Sequence, residues 1–191
     1  MGPFEYFIIL IVIIIGLALE SVAKNLDGLL AAGKRVRWNW MAPANALGIS
    51  VQTIAQFWLL WQLRDHYKVE TFLFVLPPVA AMVVLFLAAS AALPSEVPEQ
   101  GLDLKLWYFQ NCTRYWGLIV ALAVAFAVTD LVVYFTHAMP AMEPLIFLGQ
   151  NAIVAALAVS LMRTRSPWWH GFCIVLFLVV QIGGNAALRL T

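Results

Sequence analysis

The chain has 191 residues, a formal net charge of +1, 63% hydrophobic residues and only 11% charged ones, with a mean hydropathy of +0.89. A soluble domain is nearer ~25% charged, so the composition excludes a water-soluble globule. The near-zero net charge excludes a strongly basic nucleic-acid binder, and no nucleic-acid partner is expected.

The charges are confined to short segments. Residues 38–63, 71–95, 144–162 and 166–188 contain no Asp, Glu, Lys or Arg. A charge at bilayer depth costs ~2.5–3.5 kcal/mol on the mildest scales, so the segregation makes lipid the expected solvent. The predicted class is all-α: a polytopic transmembrane bundle of about six membrane helices in a single domain over 1–191, with a cytoplasmic amphipathic extension of the first helix.

The first span is expected over 4–22. Its apolar stretch is short enough for a secretory signal, but no basic residue precedes it and no small-residue cleavage site follows, so it reads as a retained helix. Beyond it, Val22, Leu26, Leu29, Leu30 and Val36 recur at helical spacing, with Glu20 and Lys24 paired at i, i+4. The helix is expected to continue past the membrane, bend along its surface and stop at Gly33. Lys34, Arg35 and Arg37 would then face lipid phosphates. A general surface anchor is the plainer reading and a site for anionic lipid head groups the sharper one.

The second span, 42–63, carries Asn45, Gln52 and Gln56 on one face. The third, 71–93, contains Pro77-Pro78 and should kink there. Two prolines and a glycine in 94–103 forbid a regular element, and Asp103 is placed to cap the next helix. The fourth span, 115–135, holds Asp130, with Tyr134 and His137 following at i+4 and i+7. The fifth, 143–162, holds Gln150 and Asn151. The sixth, 168–187, holds Gln181 and Asn185 around Gly183-Gly184.

Lys and Arg set the expected orientation. Lys24, Lys34, Arg35, Arg37, Lys105, Arg114, Arg163 and Arg165 follow spans one, three and five, against Arg64, Lys68 and Arg189 on the other side. The first set belongs in the cytoplasm, which puts both termini outside. Trp38, Trp40, Trp107, Trp116, Trp168 and Trp169 would form an inner aromatic belt, and Tyr6, Trp58, Trp61, Tyr67 and Tyr134 an outer one.

Amides are the unusual content of these helices. Each must find hydrogen-bond partners where water is absent. They either bond between helices, at roughly 0.6–2 kcal/mol each, or line a hydrated, uncharged pathway. Asp130 breaks the apolar pattern once. With Tyr134, His137, Asp65, His66, Glu70, Glu143 and Glu5 on the same expected side, it could bind a cation or relay protons, or else be paired with Arg189 or Tyr134. His170, beside Trp168 and Trp169, reads as interfacial packing. Cys112 and Cys173 are far apart in sequence and read as buried, reduced thiols. No residue set has metal-ligand spacing, no catalytic or nucleotide-binding motif is present, and no cofactor is implied.

Phe4-Glu5-Tyr6-Phe7, Gly16-Leu17, Arg35-Val36-Arg37-Trp38-Asn39-Trp40, Gln56-Phe57-Trp58, Gly101-Leu102-Asp103-Leu104 and Tyr108-Phe109 together resemble a widespread, uncharacterised family of small bacterial six-span inner-membrane proteins. The resemblance runs over the first two-thirds of the chain. It implies a bacterial inner-membrane location; the family has no assigned activity, so no site residue is carried over.

Three functions fit these features. The leading one is a small oligomeric channel or transporter for an ion or small polar solute, using the amides and Asp130. An accessory or scaffold subunit of a larger membrane complex is the alternative, suggested by small-residue spacings such as Ala88–Ala92 and Ala152–Ala156. A membrane sensor acting through the basic segment is the third. The expected partners are the lipid bilayer, anionic head groups, and a second copy or a membrane-complex partner.

Overall fold

The computed structural model describes residues 3–62, 72–137 and 142–186. Six helices account for nearly all of them: α1 (Pro3–Ala32), α2 (Met41–Gln62), α3 (Phe72–Ala91), α4 (Leu104–His137), α5 (Met142–Arg163) and α6 (Pro167–Ala186). Two short strands, β1 (Val36–Arg37) and β2 (Leu102–Asp103), lie in the segments before α2 and α4. Asp65, His66, Glu70, Arg64, Lys68, Tyr67 and Arg189 lie outside the described residues.

Three helices, α1, α4 and α5, include stretches long and apolar enough to cross a membrane: Phe4–Arg35, Leu104–Val132 and Ile146–Arg163. Val75–Ala91 and Pro167–Gly183 are shorter apolar helices. α2 has the length, at 22 residues, but Asn45, Gln52 and Gln56 hold its hydropathy down. The surface agrees with a membrane protein. Ile9, Ile13 and Leu17 of α1 and Phe172, Val175 and Val179 of α6 form continuous exposed apolar faces, which soluble monomers rarely carry.

α1 packs on α3, α3 on α4, and α4 on α5, while α2 leans on α1 and carries α6. The core along α1, α3 and α4 is tight because its residues are small or fully enclosed. α1 presents Phe7, Ile11, Ile15, Ala18, Val22 and Leu29 as one unbroken buried stripe, and α3 answers with Ala81, Leu85, Ala88 and Ala89. Small side chains let the backbones approach, and in lipid that contact is the main source of helix association.

α1 is one uninterrupted helix to Ala32, and Gly33 ends it in the left-handed conformation with φ 54°. The expected bend along a membrane surface is not accompanied by any break. Instead the second half of α1 docks on protein: Ser21 Oγ donates to Ser90 Oγ at 3.1 Å, and Asn25 Nδ2 donates to the Leu93 carbonyl at 3.4 Å. Val22, Leu29 and Val36 turn inward, while Leu26 and Leu30 remain exposed. α3 is helical through Pro77 and Pro78, and Asp103 caps α4 as expected, accepting from the N–H groups of Lys105 (2.9 Å) and Leu106 (3.1 Å).

β1 and β2 pair in parallel, Val36 with Leu102 and Arg37 with Asp103. Parallel strands that each feed a helix start α2 and α4 from the same end of the bundle. Gly101, at φ 94°, makes this possible: a Cβ there would stand 2.8 Å from the Arg35 carbonyl oxygen. Arg37 reaches Asp103 at 3.4 Å across the pair. The α5–α6 connection is closed by His170 Nε2, 2.7 Å from the Thr164 carbonyl, and His170 Nδ1 ties it to the same end through the Tyr108 hydroxyl of α4 at 2.6 Å. Segments 33–40, 92–103 and 164–166 thus form one sealed end.

Trp38, Trp40, Trp168 and Trp169 are exposed near the sealed end, and Tyr6 and Trp61 are exposed toward the other. Trp116 is not in a belt; it is buried, because its indole N–H serves an internal hydrogen bond.

Candidate binding cavity

The amides on α2 fall on one helical face because they recur at seven and four residues. That face, with Asn45, Gly48, Ile49 and Gln52, turns toward α4, α5 and α6, and a cavity of about 530 Å³ lies between the four helices. α4 contributes Tyr115, Trp116, Ile119, Leu122, Ala123 and Phe126, the repeating positions of its own inner face. α5 contributes Gln150 and Asn151, and α6 contributes Phe177, Leu178 and Gln181.

Five of the seven amides singled out from the sequence therefore meet around one space: Asn45, Gln52, Gln150, Asn151 and Gln181. Gln181 Nε2 donates to Gln52 Oε1 at 3.2 Å, tying α6 to α2 across the cavity wall. Gln56 is one turn beyond the lining, and Asn185 lies a turn beyond Gln181 on α6. The amides act partly as helix glue, but the glue surrounds open volume. Among the described residues, no charged side chain lines the space.

Asp130 stands beside this cavity rather than in its wall. Its Oδ2 accepts a hydrogen bond from Asn151 Nδ2 at 3.1 Å, joining α4 to α5. This bond forms because α4 and α5 pack against each other; of the two partners expected for Asp130, Tyr134 and Arg189, the second lies outside the described residues. Helix α4 extends to His137, so Asp130, Tyr134 and His137 do share a helical face in backbone terms. Among the described residues, no group of three His, Cys, Asp or Glu side chains could hold a metal ion.

From Trp116, which lines the cavity, a hydrogen-bonded chain that sequence reading missed leads away from it. Trp116 Nε1 donates to the Tyr108 hydroxyl oxygen at 3.1 Å, and that hydroxyl lies 2.6 Å from His170 Nδ1. The Thr164 carbonyl can only accept, so His170 Nε2 carries a proton. In the neutral ring Nδ1 then accepts the Tyr108 proton, and every polar atom in the chain is satisfied. His170 is fully buried, where an unsatisfied ring would be costly. Trp116 also stacks on Phe177 of α6, centroids 5.7 Å apart. The signal was present: Tyr108, Cys112 and Trp116 recur at four residues on one face of α4, and two of those side chains carry polar tips that need partners when buried. Beside them, the Tyr115 hydroxyl donates to the Asn45 carbonyl at 3.4 Å. Cys112 and Cys173 are both buried free thiols.

Outside the spans, the basic segment presents Lys34 and Arg35 to the surroundings, while Arg37 is engaged with Asp103. The Asp103 carboxyl is held below its ordinary value of 3.8, first by the Leu106 N–H, with further help from the Lys105 N–H and the charges of Arg37 and Lys105.

No protein family, curated protein or solved structure matches the chain.

Proposed function

We propose that this is a six-span inner-membrane protein of bacterial type that transports a small uncharged molecule through the amide-lined cavity. The observation that carries the reading is the convergence of amides from α2, α5 and α6 on one space of about 530 Å³, a volume in the usual range of small-molecule sites, ~300–1,000 Å³. The lining favours an uncharged substrate over an ion, because amides offer hydrogen bonds without compensating a charge. In this reading the sealed end faces the cytoplasm, where Lys34 and Arg35 meet anionic head groups, and both termini lie outside. α4, at 34 residues, is about 50 Å long by helical rise. It exceeds the ~30 Å hydrocarbon core, so its first turns, with Lys105 and Arg114, emerge at the head groups.

The test is solute flux in proteoliposomes, with glycerol and urea as uncharged probes and potassium as the ion. Glycerol or urea flux above that of empty vesicles, lost in Ala123→Phe and reduced in Gln52→Leu, is expected. Equal flux with and without protein for every probe would remove the transport reading.

A second reading, an accessory subunit or homo-oligomer, is favoured by one face of α5. Gly149, Ala152 and Ala156 are exposed there, and small residues at such spacing suit close contact with another helix. A stoichiometric partner in gentle detergent would support it.

A further inference from the structure

We infer that the occupant of the cavity is an uncharged amphiphile that enters sideways from the bilayer, through the gap between α5 and α6. The inference rests on the cavity being the ligand site and names the chemistry of what it takes.

Three observations converge. First, the gap exists. α5 and α6 touch sparingly; a hydrogen bond between them among the described residues, Trp169 Nε1 to Ser160 Oγ at 3.0 Å, is close to the connecting segment at the sealed end. Farther along, both helices line the cavity and part. The lining residues at the rim, Ile153 of α5 and Val180 of α6, are 63% and 62% exposed. Second, the rim is apolar and lies at mid-helix. Ile153 is roughly 15 Å from either end of α5 by helical rise, so in a spanning bundle the gap opens on acyl chains and not on water. Small polar solutes are scarce at that depth, and molecules with an apolar body are not.

Third, the interior is two-natured. Ile119, Leu122, Phe126 and Phe177 give the lining its apolar surface, while Gln52, Gln150 and Asn151 add hydrogen-bonding groups to it. Among the described residues Gln52 makes one hydrogen bond, through its carbonyl oxygen to Gln181. Its two N–H donors remain for a ligand carbonyl or hydroxyl. A charged head would enter a space lined by no charged side chain among the described residues and lose its hydration uncompensated. A fully apolar molecule would leave the amide donors unmet. A neutral head on an apolar body satisfies both halves.

The experiment uses the full chain in phosphatidylcholine nanodiscs with a twelve-carbon alcohol carrying a diazirine in its tail. After irradiation, mass spectrometry locates the label. Labelling is expected on the cavity faces of α2, α4 and α6, competed by excess dodecanol. Ile153→Trp and Val180→Trp, which narrow the gap from the lipid side, should lower it about tenfold. Val124→Trp, on an exposed face of α4 outside the lining, should leave it unchanged. The matching diazirine alkane and the dodecyl sulfate analogue should label the cavity about tenfold less than the alcohol.

Label spread evenly over the lipid-facing surfaces, uncompeted and indifferent to the rim substitutions, would overturn the inference. So would equal labelling by alcohol, alkane and sulfate. If glycerol or urea flux is lost in Ala123→Phe while the alcohol never labels the cavity, the amphiphile inference fails and the transport reading stands. If both flux and labelling are absent, both fail.

Discussion

The two halves of this bundle are held together differently. At the sealed end, loops that would otherwise fray are locked by directional bonds: the β1–β2 pair, the Asp103 cap, and the Trp116–Tyr108–His170–Thr164 chain. Around the cavity, α4 packs on α5 and α2 on α6, each pair carrying an amide hydrogen bond, Asp130–Asn151 and Gln52–Gln181, while the two pairs touch one another sparingly. The first half spends its polar groups on closure, and the second keeps polar groups around space. A protein that only needed stability would gain by collapsing the second half as it did the α1–α3–α4 core, where Ala88 and Ala89 are fully enclosed.

The contrast can be broken most sharply at the sealed end. Gly101→Ala would force a side chain into a positive-φ position with its Cβ 2.8 Å from the Arg35 carbonyl oxygen; strain of this kind costs ~1–3 kcal/mol before the clash is counted. The melting temperature in detergent should fall clearly, and no change would mean that the strand pair contributes nothing.

Twin enlargements sharpen the comparison next. Ala88→Leu overfills a closed site and should cost ~1–3 kcal/mol, whereas Ala123→Leu grows into the cavity and should cost well under ~1 kcal/mol. Equal losses, read by thermal unfolding, would say that the cavity half is as tightly packed as the core.

Hydrogen-bond deletions come third. Tyr108→Phe leaves the Trp116 N–H and His170 Nδ1 without their partner and should cost ~1–3 kcal/mol. The paired change Gln52→Leu with Gln181→Leu removes both members of a pair and should be nearly neutral for folding while abolishing uncharged-solute flux.

The smallest effect is electrostatic. The Asp103 carboxyl titrates below 3.8 in the folded protein, so its contribution is complete above that value and lost as pH falls through the lower, folded value. Asp103→Asn should lower stability slightly at pH 7 and flatten the acid-side decline relative to the parent. A decline unaffected by the substitution would mean that the cap is electrostatically idle.

Much of the fold was legible in sequence because lipid imposes a simple rule. Uncharged runs became helices, and the expected spans 42–63, 71–93, 143–162 and 168–187 differ from α2, α3, α5 and α6 by a few residues at most. The capping role of Asp103 and the stop at Gly33 were readable from local chemistry. The docking of α1 beyond residue 20 was not, because Ser21 and Asn25 find partners on α3 and the segment after it, about 70 residues away. The amides on α2 could be placed on one face by spacing alone. That Gln150, Asn151 and Gln181 would meet that face depended on which helices became neighbours. The Tyr108–His170 contact spans 62 residues, and sequence saw only two interfacial aromatics and a histidine.

The most direct measurement is a cryo-electron-microscopy density map of the protein in lipid nanodiscs, enlarged with a bound antibody fragment. The account predicts elongated non-protein density inside the cavity, within hydrogen-bonding reach of Gln52 and passing between Ile153 and Val180 toward the bilayer. Closure of α5 onto α6 with no space between them, or occupation of the gap by a helix from a second protein, would contradict it.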